Sequence, residues 1–588
     1  MRQHSVPLGC LCGWVLLAIA PAWAAESYQI VYEKDVAVKM RDGVILRADV
    51  YRPKGDGKFP VLLERTPYDK RVDVGFGIEA ASRGYVVILQ DVRGRFASLG
   101  DWYPMKHEAE DGYDTIEWAA ALPESNGKVG MVGGSYLGIT QLLAALADPP
   151  HLAGIAPAVA PCDMHDGLFY PGGALAQLAA ETWVSLVSVD ALQRRTFTEN
   201  WILKDPVHWA KTLPLESYPI LEVRGVEGLA PYFADWLKHP ENDDYWKAWS
   251  VCGQPEKIQV PAFHIGGWYD VFDGETQRNY VLMKERGGND SARRGQRMVV
   301  GPWRHGSYSF KVGEVEFGAH LQFEERETML RWYDFILKGA ANGLEKEAPV
   351  KIFVMGKNVW RDESDWPLAR AHNTRYYLHW GGKSNSLHGD GTLGTALSAA
   401  EPSDQYVYDP ADPVPTRGGG LCCSFANPGG AFDQQKTEAR DDVLVYSTPP
   451  FKDDFEVTGP ASLELYASSS AVDTDFTAKL VDVWPNGVAQ NLTDGIVRAR
   501  YRNSTVNPEF LKPGEIYKIT IDLRATSNVF LPGHRLRLEV SSSNFPRFNR
   551  NLNTGEDPAR GTNLLKATNK IYHDRDHPSA LILPLVSP

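Results

Sequence analysis

The chain has 588 residues, too many for a single core and suited to about three domains. Its apolar content of 43% and charged content of 23% are those of an ordinary soluble globular protein. A formal charge of −13 argues against nucleic acid or an acidic membrane as general partners.

Residues 1–24 read as a signal peptide. Arg2 supplies the positive start, Leu11 to Ile19 an apolar stretch too short to span a bilayer, and Ala22-Trp23-Ala24 a cleavage site. Cys10 precedes the apolar stretch, which argues against a lipid-anchored cysteine. The expectation is export to the periplasm or beyond, after cleavage near Ala24, with no membrane association afterwards. Outside the leader the cysteines are Cys162, Cys252, Cys422 and Cys423, too few for a disulfide framework in a chain this long. They read as buried thiols, and adjacent Cys422 and Cys423 rarely bond each other. No C-x-x-C or His/Cys cluster points to a metal, and no cofactor is expected.

Residues 25–159 have the pattern of the first part of an α/β-hydrolase domain. Alternating polar and apolar positions flank Arg41-Asp42-Gly43, a hairpin signal. Val61 to Glu64 and Tyr85 to Gln90 are short apolar runs of the parallel-strand type, with helices expected over 79–83 and 111–121. Next comes Val129 to Val132, a Gly133-Gly134-Ser135 turn, and Ile139, Leu142, Leu143 and Leu146 at helical spacing. Strand, sharp turn and helix with serine at the apex is a nucleophile elbow, although Leu137 stands where G-x-S-x-G has glycine and Gly138 follows one place later.

Over 160–255 the apolar strands disappear, and helical segments rich in Trp and Tyr (175–187 and 232–238) suggest a cap inserted in the sheet. The strand pattern returns in 256–349, with runs ending in Gly266-Gly267-Trp268-Tyr269-Asp270 and Gly301-Pro302-Trp303-Arg304-His305-Gly306, before a helix over 324–337. From 350 to 588, period-2 strands such as 351–355, 375–379, 442–446, 461–466 and 535–540 are separated by Pro, Gly and Asp turns. These predict an all-β jelly-roll domain. The Pro- and Gly-dense stretch 409–430 reads as a long loop of the kind that packs against something functional.

An elbow serine needs a base to take its proton, and the base needs a carboxylate to fix its tautomer. In α/β-hydrolases these follow in the order Ser, Asp, His, each on a loop after a strand. Asp270 and His305 satisfy that order, one helix and one strand apart, with Asp273 as the fallback acid and His264 read as a core residue inside a strand. The backbone N–H of Tyr136 is one expected oxyanion donor. Tyr68 stands where the second donor is sought, and from the residues alone its hydroxyl either donates or merely packs.

Several motifs together resemble the CocE/NonD hydrolases, the group of cocaine esterase, glutaryl-7-aminocephalosporanic acid acylases, α-amino-acid ester hydrolases and relatives of X-Pro dipeptidyl-peptidases. They are Thr66-Pro67-Tyr68-Asp69-Lys70, Asp91-Val92-Arg93-Gly94, Asp111 to Trp118, Ser125 to Met131, Gly134-Ser135-Tyr136-Leu137-Gly138, Gly267 to Asp270 and Gly301 to Gly306. The resemblance continues through Tyr408-Asp409-Pro410, Pro413 to Thr416, Asp441 to Tyr446 and Ser541 to Arg547. It implies a Ser135–Asp270–His305 triad, Tyr68 as a side-chain oxyanion donor, a helical cap and a jelly-roll third domain, and it accommodates Leu137, since these enzymes tend to carry Ser-Tyr-x-Gly. Where α-amino-acid ester hydrolases hold two acidic residues after the triad aspartate, Phe272 and Asp273 stand here. Phe272 is therefore expected as an apolar wall of the acyl pocket, with Trp303 a second pocket candidate. The expected partner is a small ester or amide. Two rival readings are an X-Pro dipeptidyl-peptidase, holding a substrate amine through Asp163 or Asp166, and a degenerate hydrolase that binds carbohydrate or surfaces. Neither acyl specificity nor oligomeric state is legible.

Overall fold

Alternation along short apolar strands decides which side chains meet. In the computed structural model, which describes residues 27–194, 209–221, 228–380, 383–397, 401–424 and 426–587, ten strands form one sheet. They are β1 (Ile30–Lys39), β2 (Ile45–Pro53), β3 (Phe59–Thr66), β4 (Val86–Asp91), β5 (Ser125–Gly134), β6 (Leu152–Ala158), β7 (Phe263–Tyr269), β8 (Arg297–Arg304), β9 (Val350–Val354) and β10 (Val359–Glu363). Their spatial order is β1-β2-β4-β3-β5-β6-β7-β8-β9-β10. The first two strands and the last are antiparallel to their neighbours, while β4 through β9 run parallel. Helices cover both faces, as a parallel sheet requires. Leu62, Val87 and Leu89 pack on one face with Phe76 and Ala80 of α1 (Val74–Ser82) and with Leu330 and Tyr333 of the helix Glu325–Lys338. Val61, Leu63, Val86 and Ile88 pack on the other face with α2 (Glu108–Ala120) and α3 (Tyr136–Leu146).

The expected domain boundary at 350 lies too early. Val350 to Val354 run parallel to β8, and β10 closes that edge, so the first sheet ends at Glu363. Lys351 faces solvent while Ile352 is buried, a half-buried alternation that a strand near a sheet edge shares with a sandwich strand.

Between β6 and β7 the described residues are helical: a turn over His165–Phe169, α4 (Gln177–Arg194), α5 (Pro231–Lys238) and a short turn at Asp244–Lys247. Cys162 and Cys252 are joined in a disulfide across 90 residues, which corrects the reading of four unpaired thiols. The bond fastens the start of this insert to its end, where Val251 N and Cys252 N also donate to Cys162 O. No sequence signal marks the pairing, because two cysteines this far apart meet only once the insert has folded.

From Ala371 onward an eleven-stranded array forms an all-β domain. Strand Phe455–Ser469 pairs with Tyr517–Phe530, and Asp475–Val483 lies between Ala489–Arg498 and Arg535–Ser541. The domain is bonded to the first sheet. Tyr269 Oη donates to Asn491 O and accepts from Gln490 Nε2, and Met355 exchanges backbone hydrogen bonds with Ser527 and Val529. The expected leader lies outside the described residues.

Candidate active site

Ser135 occupies the turn between β5 and α3 with φ 59° and ψ −124°, a conformation that side-chain-bearing residues rarely adopt. The turn is held by its surroundings. Ser135 N donates to Ala158 O at 2.9 Å, and Ser135 O accepts from Gly138 N and Ile139 N. The position of the second glycine has a steric cause: a Cβ on Gly138 would come within 2.5 Å of Ala160 Cβ. The small residue is thus needed at 138, where α3 crosses the chain after β6, and position 137 accepts leucine.

The residues after β7 and β8 meet the serine. His305 Nε2 lies 3.0 Å from Ser135 Oγ, and His305 Nδ1 lies 2.7 Å from Asp270 Oδ2. The other Asp270 oxygen accepts from Phe272 N at 2.7 Å, so both carboxylate oxygens are fixed. Burial disfavours the charged imidazole, but the charge of Asp270 and its hydrogen bond outweigh that penalty and hold the His305 pKa above its ordinary value. Serine, histidine and aspartate therefore form one hydrogen-bonded chain, in the order expected.

Asp273 is excluded as the acid. It is buried, accepts from Gln277 Nε2 at 2.6 Å, and burial pushes its pKa up to about 8. His264 is a core residue, hydrogen-bonded to Gln296 at 2.8 Å, with burial depressing its pKa to about 4. Asp163 accepts from the N–H groups of His165 and Asp166, and Asp166 accepts from Gly172 N, so both carboxylates brace turns of the helical insert.

The Tyr68 loop is clamped from two sides. Lys70 Nζ pairs with Asp91 at 2.9 Å and Arg95 donates to Pro67 O at 2.9 Å, so Asp91 and Arg95 hold the loop that carries Tyr68. The phenol oxygen of Tyr68 accepts from Trp183 Nε1 at 2.7 Å. Burial raises its pKa, so it stays a neutral O–H whose own proton points to an acceptor other than Trp183. Tyr136 is the first residue of α3, so its N–H has no intrahelical acceptor. Its hydroxyl donates to Glu108 at 2.9 Å and accepts from Met105 N at 2.9 Å, while Glu108 pairs with buried Arg65 at 2.9 Å.

Beside Ser135 lies a pocket with walls that are largely apolar, among them Ile139, Leu168, Phe169, Trp183, Phe272, Cys422 and Cys423. Phe272 lines this pocket and makes a T-shaped contact with His305, ring centres 5.4 Å apart. Trp303 does not. It is buried in a cluster with Tyr308, Phe323 and Trp360, which corrects its assignment to the pocket. Its place two residues before His305 gives no indication of side-chain direction. The residues missed are Trp183 on α4 and the two cysteines, which come from the loop expected to pack against something functional.

Comparison with known proteins follows this geometry. A model of the X-Pro dipeptidyl-peptidase (S15) family matches residues 42–307, and one of the X-Pro dipeptidyl-peptidase C-terminal non-catalytic domain matches 342–582. The chain is 42% identical to cocaine esterase of Rhodococcus sp. (strain MB1 Bresler) over 94% of its length and 98% of that protein. A crystal structure of an aminopeptidase from a marine-sediment Thaumarchaeota archaeon superposes with a TM-score of 0.80 at 27% identity, covering 100% of this chain and 99% of that one. The structure of an α-amino acid ester hydrolase shares the fold, with a TM-score of 0.77 at 24% identity over 97% of this chain and 99% of the other. With fold and comparisons in agreement, this chain belongs to the CocE/NonD hydrolases, the family of cocaine esterase, built from an S15-type α/β-hydrolase domain and a C-terminal all-β domain.

Proposed function

We propose that the protein is a serine hydrolase that cleaves esters, or amides, of compact apolar acyl groups through a covalent acyl-enzyme. The observation that carries the proposal is the unbroken chain from Ser135 Oγ through His305 to Asp270, at a serine held with φ 59°. Ser135 donates its proton to His305 Nε2 as Oγ attacks the acyl carbon. Asp270 accepts from Nδ1–H, which keeps Nε2 the basic nitrogen and stabilises the imidazolium. The Tyr136 N–H and the Tyr68 hydroxyl hold the oxyanion, each donor of this kind contributing roughly 3 kcal/mol to the transition state. His305 then protonates the leaving group, and water, deprotonated by the same imidazole, releases the acid.

The largely apolar wall of Ile139, Leu168, Phe169 and Phe272 favours an acyl group without charge. The dipeptidyl-peptidase reading is less well supported, because Asp163 and Asp166 are already engaged in turns of the insert. Export after cleavage near Ala24 is part of the same proposal. A buried disulfide between Cys162 and Cys252 is in keeping with an oxidising compartment.

Ser135→Ala is expected to abolish the acylation burst with an activated aryl ester and labelling by a fluorophosphonate, while circular dichroism stays that of the parent. Normal turnover by that variant would overturn the assignment. Hydrolysis of a simple butyrate ester far above that of a Gly-Pro anilide separates the esterase reading from the peptidase one.

A further inference from the structure

The hydrolytic chemistry leaves two nucleophilic side chains in the pocket without a role. Cys422 and Cys423 are adjacent, both are free thiols, and both line the wall that includes Ser135 and Phe272. They arrive there on a loop of the all-β domain that is fixed on each side. Gly419 and Gly430 exchange backbone hydrogen bonds of 2.8 and 2.9 Å. The backbone of Gly420 lies so close to the Asp270 carbonyl that a Cβ would stand 2.6 Å from its oxygen.

Two neighbouring side chains on an extended strand point to opposite faces. Here Cys423 has φ 67°, which breaks that alternation, and both residues line the same pocket. The neighbouring Cys422 thiol, seconded by the positive charge His305 can carry, lowers the Cys423 pKa. Cys422 is half-buried and Cys423 exposed, so a molecule entering the pocket meets both. Among the described residues the remaining cysteines, Cys162 and Cys252, are already joined in a disulfide and offer no thiol.

We propose that Cys422 and Cys423 form a two-thiol site in the wall of the Ser135 pocket for ligands with a soft trivalent centre, of which aryl arsenoxides are the probe class, and that filling it closes the pocket to substrate. The reaction balances without an oxidant. Two As–S bonds form, the arsenic–oxygen bond breaks, and the oxygen leaves as water with the two thiol protons, arsenic remaining trivalent. The second As–S bond is intramolecular, so the pair should hold the ligand about 100-fold or more tightly than either sulfur alone.

The test uses Ser135→Ala protein from which the leader with Cys10 and Cys12 has been cleaved near Ala24, so its outcome is independent of whether Ser135 is the nucleophile. Phenylarsine oxide is expected to add once per chain, as intact mass shows, on the peptide carrying Cys422 and Cys423. The adduct should be reversed by 2,3-dimercaptopropanol but not by an equal concentration of 2-mercaptoethanol. Cys422→Ser and Cys423→Ser should each weaken it about 100-fold. In the parent enzyme the adduct should abolish ester hydrolysis, and a slowly turned-over ester should slow its formation. Should a serine variant fail to fold, protection of Cys423 in the parent from maleimide by prior arsenical treatment gives the same reading. An adduct elsewhere, one indifferent to both serine variants, or no protection would overturn the site. An adduct that leaves hydrolysis unchanged would overturn the closure.

Discussion

Ser135, Asp270 and His305 stand at the ends of β5, β7 and β8 in one sheet, whereas the pocket beside them borrows much of its wall from other parts of the chain. Trp183 comes from the helical insert, Phe272 from the loop after β7, and Cys422 and Cys423 from the all-β domain. The first group is fixed by directional bonds to buried partners, the second shapes the pocket mainly by apolar contact. The difference teaches where change is tolerated. A hydrogen-bonded chain fails when one member is altered, while a wall of dispersion contacts degrades by degrees. Substitutions in the two groups should therefore separate by orders of magnitude.

The largest effect expected from a substitution that leaves the nucleophile in place is at Asp270. Asp270→Asn keeps the shape but supplies an amide where His305 Nδ1–H needs an acceptor, and kcat should fall by about 10³–10⁴. The pH profile carries a second signature. In the parent the His305 pKa is raised, so kcat/KM should fall on acidification with an apparent pKa above the ordinary histidine value of about 6.5, as His305 becomes protonated. With the carboxylate gone, burial is opposed only by the smaller influence of Cys423, and the residual acid limb should move to lower pH. An unmoved limb would mean that Asp270 does not set the base.

Tyr68→Phe comes next. The ring and its packing stay and the hydroxyl proposed as an oxyanion donor goes, so kcat should drop about 10²–10³ with KM little changed. Trp183→Phe tests what stands behind that donor. It keeps an aromatic wall but removes the indole N–H that holds the Tyr68 oxygen at 2.7 Å, and a loss of about 1 kcal/mol, some fivefold in kcat, is expected. In the Tyr68→Phe background the same substitution should cost less, because the oxygen it positions is gone. Equal costs in both backgrounds would make Trp183 a wall and nothing more.

The same contrast explains what the sequence discloses. The sheet and the site after each strand are legible because local pattern and chemistry coincide: Val86 to Leu89 is an apolar run, Ser135 follows two glycines, and Asp270 and His305 each end a strand. Pocket walls carry no such mark. Trp183 and Trp303 are both tryptophans flanked by polar or helical context, yet one faces the pocket and the other a cluster with Phe323 and Trp360, a choice made by packing. The Cys162–Cys252 pairing and the extension of the first sheet to Glu363 are likewise set by chain segments that meet only on folding. Where the CocE/NonD resemblance covered a residue such as Tyr68, it named a role that the residues alone left open.

The smallest effect is expected at Phe272, which touches both groups. Its ring meets His305 edge-on at 5.4 Å, and its other surface lines the pocket. Phe272→Leu keeps an apolar wall of smaller area. The aromatic contact contributes about 0.5–1.5 kcal/mol, and the hydrogen bond from its backbone to Asp270 survives any side-chain change. Turnover of a short acyl ester should therefore change by about threefold or less, which corresponds to the lower end of that range. An ester whose acyl group is long enough to reach the vacated space should gain in kcat/KM relative to the short one, since a pocket discriminates by about 1 kcal/mol per methylene it accommodates. A ratio of the two that stays constant would place the acyl group elsewhere, and with it the division between a rigid reacting centre and an adjustable wall.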